Sequence, residues 1–173
     1  MKYFVAIFAG SLIYLLILVN GCRPHYEQIN GDYYYVQWDE GTGKRKHPLK
    51  NSDSSSFEII DRSYAKDKKR VYINGLTIYD ANPAQFKPLG FPYSTDGKTV
   101  YCGNVPMNGI DIESFTVTYE HAGLTKYTAS WIKTNLSENK PIYDDKTYIF
   151  SNSVANDRNG EYRGPRLIKR FDR

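Results

Sequence analysis

The body of the chain consists of short runs of apolar and β-forming residues separated by clusters of polar turn residues. Asp32–Trp38 is the first predicted strand, and the polar segment Lys44–Lys50 is its predicted return strand at a sheet edge. Asp96-Gly97 lies between β-forming residues, which is a strong hairpin signal. Long runs of Leu, Ala and Glu are scarce after residue 22. The pattern predicts an all-β fold.

The same pattern recurs with a period of 29 residues. The residues repeated at this interval are Phe57, Asp67, Tyr72, Phe86, Asp96, Tyr101 and Phe115. An Asp or Asn four residues before each phenylalanine predicts a single helical turn that places the ring in the core. Recurrence at a fixed period predicts tandem β-hairpin units, with short helical turns between them, that bury a face only against their neighbours.

After Phe115 the spacing is less regular. Residues 142–150 resemble the second unit with one residue removed, so Asp145 is the predicted third copy of the repeated acid. Each repeated acid is interpreted as turn chemistry, in which the carboxylate accepts hydrogen bonds from nearby backbone N–H groups. The repeated tyrosines Tyr72 and Tyr101 are expected to stack in successive units, within or beside the core.

Residues 1–22 have a different character. Lys2 is followed by the uncharged, largely apolar run Tyr3–Val19, and the chain becomes polar directly after Cys22. This order predicts a lipoprotein signal peptide at residues 1–21, with lipid attachment at Cys22. The alternative is that residues 3–19 remain as an uncleaved anchor helix. A tether at 22–30 and a single β-rich repeat domain at 31–173 are expected to follow.

The segment Val19-Asn20-Gly21-Cys22 resembles the bacterial lipobox. Both interpretations place the body of the chain outside the cytoplasm, attached to a membrane of a bacterial cell envelope and facing the periplasm or the cell surface. Arg23 stands where inner-membrane lipoproteins of enteric-type bacteria carry Asp, so the resemblance favours the outer membrane.

The second cysteine and the charge balance narrow the possibilities. If Cys22 is lipidated, Cys102 is unpaired in an oxidising compartment and is expected to be buried and inert. A Cys22–Cys102 disulfide is the alternative, and it would exclude lipidation. Residues 1–21 hold Lys2 and no acidic residue, so without them the net charge falls from +4 to +3, which is too small to argue for a nucleic-acid partner. Positive charge is concentrated after residue 157, either as a solvated end or as a contact for anionic lipid headgroups.

The sequence carries no motif with the spacing of a metal site, a cofactor site or a catalytic site. His25, His47 and His121 have no metal-pair spacing, so no metal, cofactor or catalytic residue is predicted. The segment Asp157–Glu161 has some letters of a calcium loop, but an Asx-type turn is the favoured interpretation.

The candidate binding residues are the aromatic side chains of the first predicted strand, Tyr33, Tyr34, Tyr35 and Trp38. Successive side chains of a strand alternate between its faces, so at least one of the three tyrosines points outward or into an interface. This is the predicted contact surface for a partner.

The segment Tyr64–Tyr72 with Asn74-Gly75, followed by Ala81-Asn82-Pro83 and Phe86, resembles the repeat of the DKNYY family. That repeat has an Asp-Lys-Asn-x-x-Tyr-Tyr core and continues through an Ala-Asp-Pro-x-x-Phe segment. The resemblance covers residues 52–118 and, more weakly, 142–150. Members are bacterial and often predicted to be lipoproteins or secreted chains, so the resemblance implies an architecture and a location but no activity.

The leading hypothesis is a non-catalytic, membrane-tethered envelope lipoprotein that binds another protein, for example an immunity-type protein that neutralises a toxin. One alternative is a glycan- or peptidoglycan-binding module, which an aromatic groove with acidic residues at its floor would favour. The other is an enzyme with an unrecognised site, which a deep pocket containing a strongly perturbed titrating group would favour.

Overall fold

The computed structural model describes residues 23–136 and 142–172. These residues form many short antiparallel strands, one α-helix and one 3₁₀ helix, so the predicted all-β fold is confirmed. The predicted signal peptide or anchor helix and the lipid-attachment residue Cys22 lie outside the described residues. Within the described ranges, no helix combines the length and the apolar character needed to cross a bilayer.

The N-terminal sheet is a three-stranded antiparallel meander in the order β1-β2-β3. Its strands are β1 (His25–Ile29), β2 (Asp32–Asp39) and β3 (Gly43–Pro48). Every residue of β1 pairs with β2, and Tyr26 in β1 is buried. The prediction of a tether at residues 22–30 is therefore wrong for the residues of β1, which form a paired strand. This segment is short and polar, so its sequence did not indicate a strand. The edge position of β3 agrees with the predicted return strand.

Two four-stranded sheets follow, and they match strand for strand. The first contains β4 (Glu58–Ile59), β5 (Tyr64–Lys66), β6 (Val71–Ile73) and β7 (Leu76–Ile78). The second contains β8 (Lys87–Gly90), β9 (Tyr93–Thr95), β10 (Val100–Cys102) and β11 (Val105–Met107). Each strand of the second sheet begins 29 residues after its counterpart in the first, which is the period seen in the sequence.

The third four-stranded sheet is assembled from two separated segments of chain. Its strands, in the order β12-β15-β16-β17, are β12 (Thr116–Tyr119), β15 (Val154–Asp157), β16 (Gly160–Arg163) and β17 (Arg166–Arg170). Between β12 and β15 lie β13 (Thr125–Thr128), helix α1 (Ala129–Asn135) and β14 (Thr147–Phe150). Because β14 pairs with β13 in a two-stranded sheet, the prediction that residues 142–150 form a repeat unit is wrong.

A tight turn precedes each four-stranded sheet. The backbone N–H of Ser56 donates to the carbonyl of Asp53 at 3.1 Å, and the N–H of Gln85 donates to the carbonyl of Asn82 at 3.3 Å. The third turn is the 3₁₀ helix Ile112–Ser114. These turns are the short helical turns that the sequence predicts. Each leads directly into the repeated phenylalanine.

Three hydrophobic clusters lie between consecutive sheets and use equivalent positions. The earlier sheet of each pair contributes Tyr35, Tyr64 or Tyr93, and the later sheet contributes Tyr72, Tyr101 or Tyr162. The repeated tyrosines are buried as expected. They lie in different clusters, however, so the expectation that Tyr72 and Tyr101 stack in successive units is wrong. Each cluster is closed by one of Phe57, Phe86 and Phe115.

The third four-stranded sheet has exposed arginines at two positions that are buried in the second sheet. Arg163 and Arg166 stand where the second sheet has Cys102 and Val105. Both arginines are exposed, whereas Cys102 and Val105 are completely buried. A polar outer face of this kind disfavours the stacking of a further sheet and is typical of capping units in repeat arrays.

Candidate partner-binding groove

The repeated Asp and Tyr side chains bond to each other inside the fold. In the first four-stranded sheet the Tyr72 hydroxyl donates to the Asp67 carboxylate at 2.7 Å. The same carboxylate accepts hydrogen bonds from the backbone N–H groups of Asp53, Lys69 and Arg70. We call this arrangement, a carboxylate holding one tyrosine hydroxyl and three backbone N–H groups, the Asp–Tyr lock. It joins the turn that precedes the sheet, through Asp53, to the hairpin formed by β5 and β6.

The second four-stranded sheet contains an equivalent lock. The Tyr101 hydroxyl donates to Asp96 at 3.2 Å, and the backbone N–H groups that donate to Asp96 are those of Asn82, Lys98 and Thr99. Each of these donors lies 29 residues after its counterpart in the first lock.

The third lock is formed by Asp157 and not by Asp145. The Tyr162 hydroxyl donates to Asp157 at 3.1 Å, and the backbone N–H groups that donate to it are those of Asp111, Asn159 and Gly160. Asp145 is exposed and pairs with its neighbour Lys146. The interpretation of Asp157–Glu161 as a turn is right, but its role as the third copy was missed. The tyrosine five residues after the acid was the signal, since the same spacing occurs in the other two locks.

The locks are structural and not acid–base pairs. Burial opposes ionisation of Asp67 and Asp96, but their N–H and hydroxyl donors outweigh it and lower the pKa of both carboxyls. Burial, added to the neighbouring carboxylate, raises the pKa of Tyr72 and Tyr101. Near neutral pH the acids are therefore ionised, the tyrosines are protonated, and no proton is available for transfer.

The predicted binding aromatics are divided between two faces of β2. Tyr35 is buried against the first four-stranded sheet, and Tyr33 stacks on Phe57 with ring centroids 3.9 Å apart. Tyr34 and Trp38 point to the opposite face, where the Trp38 side chain is 53% exposed. The structure does not bring the four rings together in one surface.

A groove of about 430 Å³ runs along one side of the molecule. We call it the side groove; its main lining residues are Arg23, Tyr35, Arg62, Asn74, Phe91 and Glu120. Arg62, Phe91 and Glu120 occupy equivalent positions, in the loops that follow β4, β8 and β12. The groove thus crosses the N-terminal sheet and all three four-stranded sheets. Sequence reasoning missed it because each sheet contributes at most three of its residues, from separate loops and strands.

The polar groups of the side groove are not all satisfied within the protein. The side-chain oxygen of Asn74 is buried and has no hydrogen-bond partner among the described residues. Arg23 and Arg62 form no ion pair within residues 23–136 and 142–172. Glu120, in contrast, accepts a hydrogen bond from the Phe91 N–H at 3.1 Å and so holds the groove wall. A buried acceptor without a partner is costly, and a ligand that donates to it removes this cost.

A larger groove of about 670 Å³ lies beside β16 and β17, lined by Met107, Tyr162, Leu167, Arg170 and Phe171 among others. Tyr162 is one of its lining residues, and the Tyr162 hydroxyl already donates to Asp157. We favour the side groove as the binding site despite its smaller volume, because it combines an acceptor and two cations that have no partner among the described residues.

The groups with the most strongly perturbed pKa values lie in the core and not in a groove. Burial raises the pKa of the Tyr64 hydroxyl, the Tyr93 hydroxyl and the Cys102 thiol well above their usual ranges. Cys102 is a free, fully buried thiol, as expected. Among the described residues, no three His, Cys, Asp or Glu side chains are grouped in a way that could hold a metal ion.

A family model described as the DKNYY family matches residues 26–91. The matched segment resembles that family and includes the first lock and most of the side groove. The match begins earlier than the resemblance noted in the sequence, since it takes in the N-terminal sheet. No curated protein and no solved structure matches the chain.

Proposed function

We propose that this protein is a non-catalytic module of the bacterial cell envelope, tethered to a membrane, that binds another protein through the side groove. The observation that carries the proposal is Asn74, which lines a groove that crosses consecutive sheets and whose buried side-chain oxygen has no hydrogen-bond partner among the described residues. A toxin neutralised by an immunity-type protein is one such partner.

The groove chemistry favours a segment of polypeptide. The Asn74 oxygen offers an acceptor for a backbone or side-chain N–H, and Phe91 offers an apolar ring. Arg23 and Arg62 are available to an acidic side chain. Surfaces that run across consecutive units are the usual binding surfaces of repeat proteins.

A non-catalytic role is supported by the hydrogen bonds that the repeated acids make within the fold. Asp67, Asp96 and Asp157 are all committed to locks, where each holds backbone N–H groups and one tyrosine. The carboxylate of the side groove, that of Glu120, is committed to the Phe91 N–H. The membrane location is supported by the apolar run Tyr3–Val19 and by Cys22.

Photocrosslinking in intact cells tests the proposal. A photoreactive phenylalanine analogue replaces Phe91 in the side groove, and in a matched control it replaces Lys98, an exposed residue at the opposite end of β9. We expect one discrete protein adduct at position 91 and none at position 98. Arg62→Glu should abolish the adduct at position 91, because it reverses a groove charge without touching a core residue.

Equal adducts at both positions, or an adduct at position 91 that Arg62→Glu leaves unchanged, would contradict binding through the groove. An adduct to peptidoglycan, with cosedimentation of the purified protein with cell-wall sacculi, would instead favour the glycan-binding alternative.

A further inference from the structure

The N-terminal sheet presents two aromatic side chains on the face that points away from the rest of the array. Tyr33 and Tyr35 point toward the first four-stranded sheet, and the alternation along β2 directs Tyr34 and Trp38 the other way. Trp38 is more exposed than most large apolar side chains in the described part of the chain, at 53%. Tryptophan and tyrosine combine an apolar ring with a polar group, so the pair gives this end of the array an amphipathic surface suited to a contact.

Strand register places Trp38 at the end of the sheet where the described chain begins. His25 pairs with Val36, so Trp38 extends past it, level with Arg23. On the other side of β2, Trp38 pairs with Lys44 and Val36 pairs with Lys46. We call Arg23, Tyr34, Trp38, Lys44 and Lys46 the basal patch.

The distance from the proposed lipid anchor to this patch is short. Most of the segment that was expected to be a tether is the paired strand β1. This strand begins at His25, only three residues after Cys22. Three residues span at most about 10 Å. A membrane anchor at or before Cys22 therefore holds the Trp38 end of the sheet close to the lipid headgroups.

The side chains of the basal patch suit that environment. Tryptophan and tyrosine concentrate at the membrane–water interface, and lysine and arginine are attracted to anionic headgroups. Glu27 neutralises Lys44 at 2.8 Å, whereas Lys46 and Arg23 have no ion pair within the described ranges. Asp39 ends β2 and Glu40 follows it in the turn, so the Trp38 ring contributes more to the contact than net charge does.

We infer that the basal patch lies in the headgroup region of the bilayer, with Trp38 inserted at the interface. The inference rests on the membrane tether in the proposed function. The sheets then follow one another away from the membrane surface, and the side groove begins at Arg23 and leads outward.

Tryptophan fluorescence tests the inference, since the described residues contain Trp38 and Trp131 and each can be studied alone. Full-length protein is purified from membranes and reconstituted in vesicles of phosphatidylethanolamine and phosphatidylglycerol. Trp131→Phe leaves Trp38 as the reporter. Trp38→Phe is the matched control, because Trp131 lies in α1 and packs against Tyr127 and Arg166. Mass analysis of the Cys22 peptide is done on the same preparations.

We expect Trp38 to be quenched by lipids brominated near the headgroup and to become severalfold less accessible to iodide when vesicles are present. Trp131 should respond to neither. A vesicle-bound protein in which Trp38 remains open to iodide would overturn the inference and leave the tether intact. Shielding of Trp38 without quenching by brominated lipid would also overturn it, and would indicate self-association. Loss of vesicle binding altogether, with an unacylated Cys22, would refute the tether itself.

Discussion

The backbone N–H of Asp111 donates a hydrogen bond to the carboxylate of Asp157 at 2.7 Å, across 46 residues of sequence. In the first two locks the corresponding donor and acid are 14 residues apart. The third unit is thus a copy of the others with 32 additional residues inserted between its first and second strands. The insertion forms β13, α1 and β14 and does not disturb the lock.

The third lock predicts that Asp157 is a stability determinant and Asp145 is not. Asp157→Asn removes a charged acceptor from one hydroxyl and three backbone donors and should cost about 2–3 kcal/mol of unfolding free energy. Asp145→Asn, on the exposed surface, should change it by less than about 0.5 kcal/mol. Urea unfolding followed by circular dichroism measures both. Equal losses of unfolding free energy in the two variants would contradict the assignment of the third lock to Asp157.

Asn104 joins the insertion to the array. Its buried side chain donates to the carbonyls of Thr77 and Thr147 and accepts from the Ile149 N–H at 2.7 Å. Asn104→Ala leaves these backbone groups unpaired and should cost about 3 kcal/mol. The exposed Asn152→Ala serves as the control and should be nearly neutral. A neutral Asn104→Ala in the same unfolding experiment would show that the insertion is not held by this contact.

Two glycines with similar backbone angles should respond differently to alanine. Gly103 and Gly109 have φ of 62° and 71°, which disfavours any side chain in both. A Cβ at Gly109 has open space, so Gly109→Ala should cost only about 1 kcal/mol of backbone strain. A Cβ at Gly103 would overlap the Ile149 carbonyl oxygen. We expect Gly103→Ala to displace β14 and to lower the melting temperature far more, and similar melting temperatures would contradict the packing of β14 on this turn.

The locks predict loss of stability at both ends of the pH range. Asp67 and Asp96 have a lowered pKa in the folded state, so their contribution is present above the unfolded value of about 4 and is lost as pH falls below it. Tyr72 and Tyr101 have a raised pKa, so their contribution is present below about pH 10 and is lost as pH rises further. Unfolding free energies measured across pH should fall at both ends. A double Asp67→Asn, Asp96→Asn variant should show a weaker acid dependence, and an unchanged profile would argue against the locks.

The sequence was informative wherever a feature is local. Strands β4 to β11 and the helical turns follow from residues close in sequence, and the 29-residue period pairs them correctly. The acid of the third unit was predicted wrongly because an insertion separates Asp157 from its turn in the sequence. A fixed period cannot locate a residue that follows an insertion of unknown length. The segment around Asp145 resembles the second unit in sequence, although Asp145 pairs with Lys146 and forms no lock.

The candidate site was less accessible to sequence reasoning. Four aromatic residues in one strand suggest a binding surface. Tyr33 and Tyr35, however, pack against the next sheet and are not available to a partner. The side groove depends on loops from different sheets. What unites Arg62, Phe91 and Glu120 is an equivalent position in three units, and their chemistry differs. Only the folded arrangement brings them beside Asn74.

We propose that the repeated residues build the array and that binding belongs to the side groove. The most direct test combines two measurements on Tyr72→Phe, Tyr101→Phe and Tyr162→Phe, each of which removes one lock hydroxyl. Each variant should lose about 1–2 kcal/mol of unfolding free energy. The crosslinking yield from position 91, per folded molecule, should stay unchanged. Unaltered stability combined with loss of the adduct would contradict the claim, because the repeated tyrosines would then be the binding site itself.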